Sequence, residues 1–430
     1  MIQELRIRNF LSFKEEVVFS FEATKDNTFE DYQLVEVAPG VKLLRFAMVF
    51  GANASGKSNL LAAFDFLSKF WFAGTSDPAG KTGTVPFLLD KHTPDEPSFF
   101  SLKFYVGNVR YWYLLELDTQ VVRSEKLYYY TSAQPTLIFD RSYSNGVSVV
   151  GFNASAAKVS QAARENINLK CLPNMSVFAA RNQVNVSIPV MDVARDWLQG
   201  HFMPAVKPGL SLFNFAEQRL QSDELFKPHI LKFIGEADFN ISDVDAHYVK
   251  QEIRQKLVDY FTAAESMPGE EVDRLNRKKS APQIKTDFEH TVVTGQGTEK
   301  YILPESMQSD GTQRIFGIEA AIYHALNQQA FLYIDEIESS LHPRLVEFVL
   351  KKFLEVKNNR AQLLVTTHYD PFLNEVNELF RKDSVWFTEK GQSGATELYS
   401  LVEFSRLNRI SSLQKAYRQG NFGAIPNVNI

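Results

Sequence analysis

Phe46-Ala-Met-Val-Phe-Gly51-Ala-Asn-Ala-Ser-Gly-Lys57-Ser58-Asn-Leu-Leu61 is the stretch that decides how this chain folds. The nearly continuous apolar run over 43–50 predicts a buried strand. Beyond it, Leu60, Leu61, Phe64, Leu67 and Trp71 recur at helical spacing, predicting a helix with one core face. Between strand and helix lies Gly51-x4-Gly56-Lys57-Ser58, the spacing of a phosphate-binding loop. Glycines let backbone N–H groups curl round an anion at the positive end of a helix. The loop residues Gly51, Ala52, Asn53, Ala54, Ser55, Gly56, Lys57, Ser58 and Asn59 are therefore the candidate nucleotide contacts. Lys57 would reach the β and γ phosphates and Ser58 would ligate Mg²⁺. ATP with Mg²⁺ is the expected pair; GTP is disfavoured, since no Asn-Lys-x-Asp segment follows.

Far downstream, Phe331-Leu-Tyr-Ile-Asp335-Glu336 reads as a strand ending in two carboxylates. At such a strand end one carboxylate can hold the metal shell and the next can polarise an attacking water. Asp335 is the expected metal-side residue and Glu336 the general base, with Glu338 a weaker candidate. His368 follows another buried strand, 362–366, where it could donate to a γ-phosphate. Ser309-Asp310-Gly311-Thr312 opens a helix over 312–327, and a helix N-terminus with a small residue and a glycine suits an anion.

Around these motifs the chain reads as an α/β protein with a β-rich N-terminal lobe. Strands are expected over 2–8 and 16–21, a hairpin at Gly107-Asn108, helices over 155–168, 190–203, 208–235 and 247–264, and strands over 283–293 and 299–303. The expected domains are 1–189, carrying the phosphate loop, a helical insertion over 190–282, and 283–430, completing the site. Of 430 residues 44% are hydrophobic, ample for a core, and no run of eighteen apolar residues occurs, so a cytoplasmic protein without membrane association is expected. A single cysteine, Cys171, excludes an intramolecular disulfide framework. The net charge of -5 disfavours a whole-surface nucleic-acid binder, although Arg274, Arg277, Lys278 and Lys279 make a local basic run, read as a solvated loop. Asp243-Val-Asp245-Ala-His247 has metal-like spacing but is read as structural.

The order of phosphate loop, long insertion, Ser309-Asp-Gly signature, Asp335-Glu336, Leu341-His342-Pro343 and His368 resembles ABC-type P-loop ATPase heads of the SMC, RecF and OLD kind. Leu5-Arg-Ile-Arg8-Asn9-Phe10-x-Ser-Phe13 is similar to their first strand, which implies Arg8 and Asn9 near the nucleotide. More narrowly, Ile334-Asp-Glu-Ile-Glu-Ser-Ser-Leu-His-Pro343, Thr366-Thr-His-Tyr-Asp370 and the closing Tyr417-x-x-Gly420-x-Phe-Gly-Ala-Ile-Pro426 resemble bacterial AAA-type ATPases of the RloA/AbiL-like abortive-infection group. Heads of this kind usually carry a glutamine in a loop linking Mg²⁺ to the helical lobe; none lies between Ser58 and Asp118, so either a later residue such as Gln120 serves or that coupling is weakened, and the position is unassigned.

The resemblance implies an ATPase acting as a homodimer or higher even-numbered oligomer, with Ser309, Asp310 and Gly311 of one copy closing over the ATP of another. It also implies a regulatory subunit of an antiphage system, answering to a phage trigger protein and controlling a separate effector, a nuclease of the TOPRIM or HNH type. Strands expected after His368 leave no room for a nuclease in this stretch. The alternative is a RecF- or SMC-like DNA-repair ATPase that clamps DNA directly. An ABC transporter cassette fits less well, given the large insertion.

Overall fold

A computed structural model describes residues 1–237, 239–249 and 283–426. They form two compact units: Met1–Pro208 with His324–Ser339 and Val349–Ile430, and Gly209–Tyr323 with Ser340–Phe348. The second unit thus begins later and ends later than the insertion expected over 190–282.

In the first unit two sheets face a shared core. Seven antiparallel strands run in the order 147–152, 135–144, 122–130, 109–117, 98–106, 2–8 and 17–20. Their alternation places one face inward: Phe100, Leu102 and Phe104 are buried on one strand, Tyr111, Tyr113 and Leu115 on the next. The expected hairpin at Gly107 is present, with that glycine at a φ of 59°. A five-stranded sheet has the order Phe331–Ile334, Gln362–Thr367, Phe46–Phe50, Val385–Lys390 and Thr396–Ser400. Its first four strands are parallel and only the last is antiparallel. Phe46–Phe50 is buried at every residue, which explains its unbroken apolar run.

The helix Lys57–Phe70 bridges the two sheets through its aromatic face. Phe64 packs edge-on against Phe331 of the parallel sheet, ring centroids 4.9 Å apart, and against Phe19 of the antiparallel one at 6.2 Å. The strand expected over 43–50 is in fact two, Val41–Leu44 and Phe46–Phe50. Arg45 interrupts it, buried and donating to the carbonyls of Tyr32, Phe353 and Val356. The last two belong to the end of the helix Pro343–Glu355, whose carbonyls favour a cation. Burial lowers the Arg45 pKa to about 10.

The second unit is helical in its first part and carries a sheet beyond it. It holds helices Phe213–Ser222 and Phe226–Glu236, but also an antiparallel sheet of Ile241–Val249, Gln283–Thr294 and Gly297–Pro304. Where a helix was expected to start at residue 247, Ile241–Val249 pairs with Gln283–Thr294, and the rest of that helix lies outside the described residues, as does the basic run at 274–279. Alternating apolar and polar side chains, among them Val244, Ala246 and Tyr248, carry the period-two signal that the helical reading overlooked. Phe213, Phe226, Phe288 and Phe316 form its aromatic core. Among the described residues no helix is long and apolar enough to cross a membrane.

One polar cluster lies inside the N-terminal lobe. Arg141 and Glu125 are both fully buried, 3.4 Å apart, and Arg141 also donates to Ser148 Oγ and to the carbonyls of Leu172, Pro173 and Met175. Burial pushes the Glu125 carboxyl up, against the pull of Arg141 and the Ser176 hydroxyl. Arg141→Met would strand that carboxylate and several carbonyls. The expected cost is about 3–5 kcal/mol of stability, read as a lower urea midpoint.

Candidate functional site

Three neighbouring parallel strands deliver the expected motifs to one edge. Thr367 is opposite Phe50, and Val365 is opposite Ile334, so residues 51–57, Asp335-Glu336 and His368 all leave the sheet at its carboxyl end. In open parallel sheets this is where ligands bind.

The loop itself is held from behind. Gly56 adopts a φ of +110°, and a Cβ there would stand 2.3 Å from Thr396 Oγ1. A Cβ on Gly51 would meet Ser55 Oγ and Thr388 Oγ1 at 2.5 Å. Both motif glycines are thus required by the close approach of two threonines as well as by backbone shape. Ala54 is left-handed at a φ of 62°. Lys57 is buried, and its Nζ donates to the carbonyls of Gly51 at 2.7 Å and Ala52 at 3.0 Å. Burial lowers its pKa, while the carboxylates of Glu336, Asp335 and Glu338 pull it back up. Asn53, Ala54 and Ser58 are exposed, and the Asn59 side chain donates to Ser12 Oγ at 2.6 Å.

A residue outside the expected set organises the carboxylates. Thr366, fully buried on the middle strand, donates its hydroxyl to Asp335 Oδ1 at 2.6 Å and accepts the Glu336 N–H at 2.9 Å. Glu336 sits at a φ of 46°, an uncommon conformation for a residue with a Cβ, and the Thr366 contact holds it there. The Asp335 N–H donates to Val206 O, from a short segment that pairs along the outer edge of Phe331–Ile334. Glu338, the weaker candidate, accepts both the backbone N–H of His368 at 2.8 Å and its Nδ1 at 2.9 Å. It orients His368, whose side chain stays half exposed. The hydroxyl of Ser58 and the carboxylate of Asp335 are hard oxygen donors of the kind Mg²⁺ takes, and a glycine-bearing loop that opens the helix Lys57–Phe70 suits a polyphosphate.

The remaining expectations divide. Ser309 caps the helix Asp310–Gln328: its hydroxyl accepts the Thr312 N–H at 3.1 Å and its carbonyl accepts that of Gln313. A Cβ on Gly311 would stand 3.0 Å from Ser340 O. These residues lie in the second unit, with Asp310 and Ser309 exposed. Asn9 is engaged by the chain around it. Its buried amide donates to Thr93 O and Glu96 O and accepts from Phe87 N, which commits it to the loop 87–96. Arg8 is exposed, over the Phe99 ring and 3.9 Å from Glu116. His247 stands 3.7 Å from Asp245, but no metal-holding cluster occurs among the described residues.

The closing motif is a docked segment. The Tyr417 hydroxyl donates to Ala424 O, and Phe387 stacks between Tyr417 and Phe422. Arg418 pairs with both oxygens of Asp370, two residues beyond His368. Between this segment and the phosphate loop lies a cavity of about 990 Å³, reached by Ala52, Asn53, His368, Lys390, Tyr417 and Ile425.

A phosphate loop beside a strand ending in paired carboxylates defines a P-loop nucleotide-binding protein. Residues 46–154 and 209–373 match the family described as "AAA domain, putative AbiEii toxin, Type IV TA system", and the chain belongs to that family. No curated protein matches. Solved structures similar to it include the SMC head domain from Thermotoga maritima, at 13% identity and a TM-score of 0.40, covering 93% of this chain and 98% of that one. Another is the Smc head domain with an extended coiled coil bound to the C-terminal domain of ScpA, from Pyrococcus furiosus, at 12% identity and 0.38, covering 98% of each.

Gly56→Ala forces a Cβ into Thr396 and strains a positive φ. It is expected to cost about 1–3 kcal/mol, seen as a lower melting temperature, and to weaken binding of a fluorescent ATP analogue.

Proposed function

We propose that this protein binds and hydrolyses ATP as the sensor and regulatory subunit of a bacterial antiphage system of the abortive-infection kind. The observation that carries the ATPase part is Thr366, which holds the Asp335 carboxylate and the Glu336 backbone N–H beside the mouth of the phosphate loop. The membership in a family whose description names a putative AbiEii toxin of a Type IV TA system, and the resemblance of its closing motifs to RloA/AbiL-like ATPases, support the antiphage part.

In this reading the N–H groups of residues 51–57 wrap the phosphates, and the Lys57 ammonium swings from the carbonyls of Gly51 and Ala52 onto the β and γ oxygens. Mg²⁺, held by Ser58 and Asp335, would neutralise charge on those oxygens. Glu336 orients the attacking water and takes its proton. His368, steadied by Glu338, donates toward the γ-phosphate and reports its loss through the 368–370 loop. Ser309 and Gly311 of a second copy would close over the nucleotide, so ATP joins two protomers and hydrolysis parts them. The output is control of a separate effector, a nuclease of the TOPRIM or HNH type.

Lys57→Ala is expected to abolish binding of a fluorescent ATP analogue, and retained affinity would overturn the loop assignment. Glu336→Gln should bind ATP and accumulate a larger species in size-exclusion chromatography, with phosphate release at least a hundredfold slower. Hydrolysis near the wild-type rate would remove Glu336 as the base. Co-expression with a neighbouring effector gene should lower phage plating, and the Lys57→Ala variant should lose that protection. ATP turnover that rises with added DNA and falls steeply with salt would favour a DNA clamp instead.

A further inference from the structure

We propose that Thr388 and Thr396, on the C-terminal hairpin and outside every motif, are positioning residues that aim the N–H groups of the phosphate loop at the nucleotide. This rests on the reading of residues 51–58 as a phosphate cradle. Thr396 Oγ1 lies 2.8 Å from Ser55 O and 2.7 Å from Ser12 Oγ, and the Asn59 amide donates to that same Ser12 oxygen at 2.6 Å. A hydroxyl has one proton and a carbonyl can only accept. The Thr396 proton therefore goes to Ser55 O, so the Ser12 hydroxyl donates to Thr396 and in turn accepts from Asn59. The chain of donors runs one way, from Asn59 through Ser12 and Thr396 to the Ser55 carbonyl.

The direction matters because a peptide is planar, with C=O and N–H pointing oppositely. Drawing the Ser55 carbonyl toward the hairpin turns the Gly56 N–H away from it, into the loop. Thr388 does the same at the other glycine. Its hydroxyl donates to Phe50 O at 3.4 Å and lies 2.7 Å from Ser55 Oγ, which sets the peptide that carries the Gly51 N–H. Thr388, Thr396 and Ser55 are all buried, so water does not replace these contacts. The hairpin is itself braced at its back, where Phe387 stacks on Tyr417 and Phe422 and the Tyr399 hydroxyl donates to Phe422 O. The nucleotide site is thus shaped by the last part of the described chain.

The test compares the full-length protein with Thr396→Val, Thr396→Ser and Ser12→Ala, reading the Kd for a fluorescent ATP analogue and the melting temperature. Valine keeps the shape and removes the hydroxyl, and is expected to raise Kd about tenfold, the equivalent of one buried hydrogen bond. Serine keeps the hydroxyl and should stay within about twofold of wild type. Ser12→Ala leaves the Thr396–Ser55 contact in place but removes both the acceptor of the Asn59 amide and the donor that directs the Thr396 proton, and should raise Kd about threefold. A wild-type Kd for Thr396→Val, or an equal loss in Thr396→Ser, overturns the proposal. Should the valine variant fail to fold, Ser12→Ala decides, and an unchanged Kd there overturns it. Wild-type binding that Lys57→Ala abolishes shows that the cradle reading stands whatever the threonine variants do; failure of wild type to bind removes that reading and the inference with it.

Discussion

A peptide plane cannot turn its N–H toward an anion without turning its carbonyl the other way. The phosphate loop must therefore find partners for the carbonyls it faces outward, and the sheet around it supplies them. Thr388 serves Phe50 and Thr396 serves Ser55, while Gly51 and Gly56 leave the space that these threonines occupy. The same device recurs at the neighbouring strand ends, where one threonine, Thr366, takes an N–H and gives a proton to a carboxylate. Hydroxyls suit this task because they donate and accept at once and are short enough to leave their own backbone in the ladder.

That arrangement needs a stiff frame, and the core provides it. The helix after the loop is clamped between two sheets by Phe64, and Phe331, on the strand leading into Asp335, meets the same ring edge-on. Moving the loop relative to the carboxylates would disturb packing that is as dense as the rest of the interior. Arg45 adds a second tie, anchoring the strand before the loop to the end of the helix Pro343–Glu355.

Much of this was legible in the sequence. The loop spacing, the apolar strand before it, the paired carboxylates and His368 all involve local patterns whose chemistry is peculiar to those residue types, and the sheet brings them to one edge. What sequence reading missed lies in long-range pairing. Thr366, Thr388 and Thr396 are ordinary strand residues until their neighbours across the sheet are known. Glu338 has no signal beyond its place two residues after Glu336, yet it holds His368. Asn9 shows the same limit: only the folded chain reveals that its amide is engaged by the loop 87–96. The strand Ile241–Val249 runs into the helix expected from residue 247, because its alternation at Val244, Ala246 and Tyr248 is short and was not weighed against the helical pattern.

The central position of Phe46–Phe50 in its sheet has a consequence for biosynthesis. Both of its partner strands come from the far end of the chain, and the Ser55–Thr396 contact closes a span of 341 residues. During translation this fully apolar strand emerges early and waits for most of the polypeptide before its ladder can form. Until then its five residues have no ladder, and the loop lacks the contacts that Thr388 and Thr396 supply.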